Sequence, residues 1–286
     1  MVAAALEAAH SWPAGTVIIL PVKTSGDRIQ DRPLAEVGGT ALWTKELDLA
    51  LLAGETDCSV HSMKDVESER PEALAIAAML PRADVRDRLI GATSIDDLHH
   101  GAVVGTSSPR RAAQLKRLRP DLQIVSIRGN VDTRLGKLAG SEVDATLLAA
   151  AGLDRLDRPD VGHPIEIAEM LPAPAQGAIG IECRSDDAKT SALIAAIDDA
   201  ATHAAVLAER AFTRALGGTC HSPVAALARI EGGEIAFSGE IFSADGQERV
   251  GSATRFPVGD LDAPAALARR MMADAPEAIR ILFEAR

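Results

Sequence analysis

Two consecutive units set the tightest limit on what this chain can fold into. "GAVVGTSSPRRAAQLKRL" (101–118) reads as an apolar strand, a Gly-Thr-Ser-Ser turn and a helix opening on Pro109. "QIVSIRGNVDTRLGKL" (123–138) repeats that grammar with an Arg-Gly-Asn turn. Strands that alternate with helices bury both faces of a sheet, so the chain is expected to be layered α/β. The alternation runs on either side. Val2–Ala9 predicts a helix and "TVIILPV" a buried strand. "ALWTKELDLALLAG" predicts a helix with Leu42, Leu47 and Leu51 near one face and Gly54 as its stop, and "CSVHSMKDV" a short strand entering a polar loop. The sheet these form is expected to be mainly parallel. From about Asp84 the pattern restarts; "DATLLAAAGLDRL" adds a third strand and helix, and "LPAPAQGAIGIECR" a proline-marked crossing back to an apolar strand. From about Thr202 the pattern changes to a helix, a cysteine turn, alternating strands with Gly-Gly and Asp-Gly turns, and a helical close. The expected architecture is two α/β domains followed by a small α+β domain with an antiparallel sheet.

Charge narrows the ligand. The net charge of −11 disfavours nucleic acid, and aromatics at 2%, with no tyrosine, leave no platform for stacking bases. No apolar run reaches the roughly 18 residues of a membrane span. Yet between Thr106 and Leu138 eight Lys/Arg residues stand against two acids, a basic island suited to a small polyanion. A solvated helix face explains the same charges equally well. Three scattered cysteines, Cys58, Cys183 and Cys220, argue against a disulfide framework and, with the poor signal-peptide character of "MVAAALEAAHSWP", point to the cytoplasm. No metal-ligand spacing is present.

The two turns of the basic island place small polar residues and arginines where strand becomes helix. There, unpaired N–H groups and the helix dipole favour an anion. Arg110 and Arg111 are adjacent, so on a helix they diverge by about 100° and only one is expected to face a site. Helix capping by Ser107 or Ser108 is the alternative. His61, Lys64 and Asp65 in "HSMKDV" follow a strand, where a carboxylate can hold a developing cation or move a proton; a surface Lys–Asp pair is the alternative that the residues alone favour. Cys58 and Cys183 read as inert core. Cys220, approached by Gly217-Gly218 and followed by Pro223, reads as a loop thiol open to a reagent.

Nine segments in order, among them "KELDLALL", "HSMKDV", "GTSSPRR", "SIRGNVDTRLGKL", "PAQGAIGIECR" and "LGGTCHSPVAA", resemble the hydroxymethylbilane synthase (porphobilinogen deaminase) family over nearly the whole chain. The resemblance implies two periplasmic-binding-protein-like α/β domains and a third domain bearing a cysteine. Domain one would be 1–79 with 177–196, domain two 84–173, and domain three 200–286. It implies a transferase that joins four porphobilinogen molecules with loss of ammonia into a linear tetrapyrrole, on one covalent dipyrromethane per chain. Cys220 matches the thioether anchor, and Ser108, Arg110, Arg111, Arg128, Gly129 and Arg134 match cofactor-binding positions. Arg155 and Gln176 match substrate-binding positions, and Asp65 and Lys64 catalytic ones. A monomer binding only its small-molecule substrate is expected.

The chain departs from the family pattern in three places. It starts at Met1 inside the family's first helix, so that an opening strand and arginine are expected upstream; Glu36 and Thr40 stand where lysines are common, and Ser25 where a basic residue is common. Each lost charge-assisted contact would cost about 1.5–3 kcal/mol of anion binding. The alternative to an enzyme is therefore a truncated, impaired homologue that only binds an anionic ligand.

Overall fold

The computed structural model describes residues 1–25, 43–219 and 221–284. The first sheet is built from β1 (Cys58–Ser62), β2 (Leu74–Met79) and β8 (Ile179–Arg184) in the order β1-β8-β2. Strand β8 returns from far along the chain and runs antiparallel to both neighbours. One face packs on α1 (Val2–Ala9) and α6 (Ala188–Ala195) through Val2, Leu6, Ile181 and Ile194. The other face lies under α2 (Lys45–Leu52) and the 3₁₀ turn Met63–Asp65.

The second sheet has the order β5-β4-β6-β3-β7, from β3 (Asp87–Ile90), β4 (Val103–Gly105), β5 (Gln123–Val125), β6 (Ala145–Ala149) and β7 (His163–Pro164). Both repeated units form as expected: β4 leads into α3 (Pro109–Leu118), β5 into α4 (Val131–Ala139), and β6 into α5 (Ala150–Asp154). The third sheet is the antiparallel meander β11-β10-β9, of β9 (Val224–Glu231), β10 (Glu234–Phe242) and β11 (Arg249–Pro257). It packs on α7 (Ala200–Ala215), α8 (Asp262–Asp274) and α9 (Glu277–Glu284) around Phe212, Phe237 and Phe256. Pro276 divides the closing helical stretch into two. No single described helix is long and apolar enough to cross a membrane.

Two expectations need correction. "TVIILPV" forms no strand: Ile18, Ile19 and Leu20 are 89%, 75% and 55% exposed. β-propensity describes fit to a half-buried pleat, and no described strand supplies one there. Nor is the sheet mainly parallel. Among the described strands, only β4 with β5 and β4 with β6 pair in parallel, because the crossing strands β8 and β3 enter from distant connections and reverse the direction. The α/β class with a C-terminal antiparallel sheet stands.

Candidate active site

A cleft of about 730 Å³ opens where the three sheets meet. Its floor on the first-sheet side is the 3₁₀ turn after β1. Gly180 leaves room for the Met63 side chain of that turn, since a Cβ there would overlap the Met63 sulfur. With Met63 laid flat on the sheet and buried, Lys64 and Asp65 project into the cleft. No described group donates a hydrogen bond to the Asp65 carboxylate. It lies in the fields of Lys64, Arg134 and Arg155. Enclosure lowers the pKa of Lys64, partly opposed by the charge of Asp65.

The opposite wall is the start of α3. Ser108 is its N-cap and accepts the Arg111 N–H at 3.4 Å, with Pro109 at the first helical position. Arg110 and Arg111 do not diverge as expected. Both reach the buried carboxylate of Asp87, one oxygen each, at 2.7 Å. Their side chains are long enough to fold back from different starting directions onto one group. Arg110 also donates to the Leu171 carbonyl and to Gln114, and Arg111 to the Leu147 carbonyl. Gln176 donates to Asp87 at 2.9 Å and to the Val85 carbonyl at 2.7 Å. Burial opposes ionisation of Asp87, but the charges of the two arginines outweigh it and hold its carboxyl well below the usual range. The Nε–H of each arginine is buried without a partner.

Arg134 lines the cleft, with its Nε donating to the Gly129 carbonyl at 3.0 Å. Burial, reinforced by the nearby charge of Arg111, lowers it to about 10. Gly129 takes φ +111°, and a Cβ there would stand 2.5 Å from Thr133 Cγ2, so only glycine fits this turn. Asn130 then caps α4 by accepting the Thr133 N–H at 2.9 Å.

Of the candidate residues, the structure brings Lys64, Asp65, Ser108, Arg110, Arg111, Arg134 and Gln176 together around the cleft. Arg128, Gly129 and Arg155 stand outside its lining; Arg155 is exposed and donates to the Gly177 carbonyl at 3.4 Å. Cys220, Glu36 and Thr40 lie outside the described residues, and Thr219, His221 and Ser222 line the cleft. Ser25 donates its hydroxyl to Glu46 at 2.5 Å. His61 is no part of the lining: it is buried in β1, 3.1 Å from Glu182.

Several lining residues carried no sequence signal. Arg210 and Arg214 of α7 face the cleft, and Arg210 donates to the carbonyls of Val66 and Glu67, bracing the segment after Asp65. Arg70 donates to Glu182 at 2.8 Å through both Nε and Nη2, and to Asp48 at 2.5 Å. Ala175 holds φ +60° at the cleft edge, its N–H donated to Glu209 at 2.5 Å. Pairing across distant segments is invisible to local periodicity; an acid opening an apolar strand, as Asp87 does, was the one available hint.

Chemically, the cleft is a cationic enclosure in which the Asp65 carboxylate is uncommitted, suited to a ligand that is anionic at its edges and becomes cationic at its reacting centre. A family model described as "Porphobilinogen deaminase, dipyromethane cofactor binding domain" matches residues 1–192, and one described as "Porphobilinogen deaminase, C-terminal domain" matches residues 203–272. A porphobilinogen deaminase of Sphingopyxis alaskensis is 57% identical over 289 residues, covering 99% of this chain and 91% of that protein. One from Paracoccus denitrificans is 49% identical over 258 residues, covering 89% and 82%. Among solved structures, a Salmonella typhimurium periplasmic binding protein is 13% identical with a TM-score of 0.39, covering 71% of this chain and 81% of that one.

Proposed function

The chain belongs to the porphobilinogen deaminase family, and on that premise we propose how its own residues carry the reaction. It is a transferase that joins four porphobilinogen units, with release of ammonia, into the linear tetrapyrrole hydroxymethylbilane. Its cofactor is dipyrromethane. The alternative of an impaired homologue that only binds an anionic ligand is not favoured, since the relatives share about half of all positions over most of the chain.

The cleft fits that cofactor. Two pyrroles with their acetate and propionate arms need cations and spare donors, and the buried, unpartnered Nε–H groups of Arg110 and Arg111 supply donors beside Lys64 and Arg134. We assign the covalent thioether to Cys220 and the carboxylates to Arg110, Arg111, Arg128 and Arg134, with Ser108 and Gly129 in the matching turns. When bound, the dipyrromethane supplies the free pyrrole carbon to which the first substrate is joined. Arg155 and Gln176 serve the incoming substrate, Gln176 through its hold on Asp87.

The observation that carries the reading is the Asp65 carboxylate, which accepts no described hydrogen bond and faces the cleft among cations. As ammonia leaves, the substrate's methylene pyrrole becomes cationic. A carboxylate about 4 Å from that charge contributes roughly 4 kcal/mol at an effective dielectric of about 20. Asp65 is free to accept the pyrrole N–H groups and to take the proton that restores the ring. Lys64 beside it balances its charge between steps. Asp65→Asn tests this: turnover falls while the covalently bound mass on the protein remains. Wild-type turnover in that variant removes Asp65 from the chemistry.

The domain assignment, 1–79 with 177–196, then 84–173, then 200–286, is supported by a separate apolar core under each sheet. A cytoplasmic monomer that binds neither nucleic acid nor membrane is the finer reading, supported by the acidic composition and the free Cys58 and Cys183.

A further inference from the structure

Cys58 and Cys183 face each other across the first sheet. The register of β1 on β8 runs unbroken from Cys58 opposite Cys183 to Ser62 opposite Ile179. One step on, Met63 donates its N–H to the carbonyl of Ala178, at 3.0 Å, which makes that a hydrogen-bonded pair. Hydrogen-bonded and non-hydrogen-bonded pairs alternate along an antiparallel ladder. Counting back, His61–Gly180 and Ser59–Glu182 are hydrogen-bonded positions, and Cys58–Cys183 is not. Non-hydrogen-bonded partners have Cα atoms about 4.5 Å apart, within the window of about 4.4–6.8 Å that a disulfide spans. Opposed residues also share a sheet face, and both cysteines pack against the same apolar cluster with Ile181 and Leu6.

We propose that Cys58 and Cys183 form a reversible cross-strand disulfide, a redox modification site that staples the edge strand β1 to β8. Both are free thiols here. Cys58 is half-buried and can meet a small disulfide, whereas Cys183, 1% exposed, is reached only through its neighbour. With a glutathione disulfide as oxidant, the Cys58 thiolate attacks one sulfur and releases one glutathione thiol. The Cys183 thiolate then displaces the second. The protein gives up two protons and two electrons, and the glutathione disulfide is reduced to two thiols. Burial raises both thiols above their ordinary range, so little thiolate is present and the exchange is slow. The staple pins the strand that runs directly into Lys64 and Asp65 and closes a long loop, so the oxidised protein melts at a higher temperature.

The test is incubation of the cofactor-loaded protein with excess oxidised glutathione, alkylation of remaining thiols, and intact-mass and non-reducing peptide mapping. The expected result is a loss of the mass of two hydrogens, one linked peptide pair containing positions 58 and 183, reversal by dithiothreitol, and a raised melting temperature. Full alkylation of both cysteines after prolonged oxidation overturns the proposal, as does a glutathione adduct that persists on Cys58 or a link made through Cys220. Cys58→Ser serves as the control: it forms no link, and Cys183 remains a thiol.

Discussion

Asp87 organises more of the cleft wall than any residue whose type announced a role. Its carboxylate holds Arg110, Arg111 and Gln176 in place, all three largely buried. Asp87→Asn leaves two buried guanidinium groups facing each other without a counter-charge. Removing one partner of such a buried pair costs about 3–5 kcal/mol. Urea unfolding is therefore expected to show that loss for Asp87→Asn, and an unchanged midpoint would show that the arginines find other partners. Asp65→Asn is expected to behave oppositely, keeping its stability and losing about 10²–10³-fold in turnover, the usual effect of removing one stabilising group from a transition state. The sequence made Arg110, Arg111 and Asp65 visible as candidates. Asp87 stayed hidden because its partners lie 23 and 24 residues away and meet it only when β3 pairs in the sheet.

At the scale of elements, the strand–turn–helix units between Gly101 and Leu138 were legible because each carries its own start signal, Pro109 after Ser108 and Asn130 after Gly129. "TVIILPV" forms no strand for the converse reason: a β-prone segment is a strand only when another strand completes its ladder. Strand β8 reads as an apolar run, and nothing local shows that Glu182 within it is the buried anchor for Arg70 and His61. Burial works against the charge of Glu182, but hydrogen bonds from His61 and Arg70 win and lower its pKa from 4.5 to about 2. A depressed carboxylate stabilises the fold above its unfolded pKa and loses that contribution as pH falls through the folded one. Stability is expected to drop by on the order of 3 kcal/mol between about pH 4.5 and pH 2 on account of this group. Glu182→Gln should flatten that part of the stability–pH curve. A curve of unchanged steepness would assign the acid sensitivity elsewhere.

The whole molecule is tied together at Glu209 of α7. It is 0% exposed and holds Arg82 through both oxygens at 2.7 and 2.9 Å. The same oxygens accept the N–H groups of Ala175, at 2.5 Å, and Ala228, at 2.7 Å. Arg82 follows β2, Ala175 precedes β8, and Ala228 lies in β9, so one carboxylate links the two connections of the α/β region to the third sheet. Glu209→Gln is expected to cost about 3–5 kcal/mol and to lower turnover by loosening the cleft; equal stability and turnover would show that the sheets are held by apolar packing alone. What that cleft holds is read from the intact mass of the purified protein beside that of Cys220→Ala. An added mass of two linked pyrrole units is expected on the wild-type chain and none on the variant. An unmodified wild-type chain, or the same added mass on Cys220→Ala, would overturn the assignment of the cofactor and its anchor.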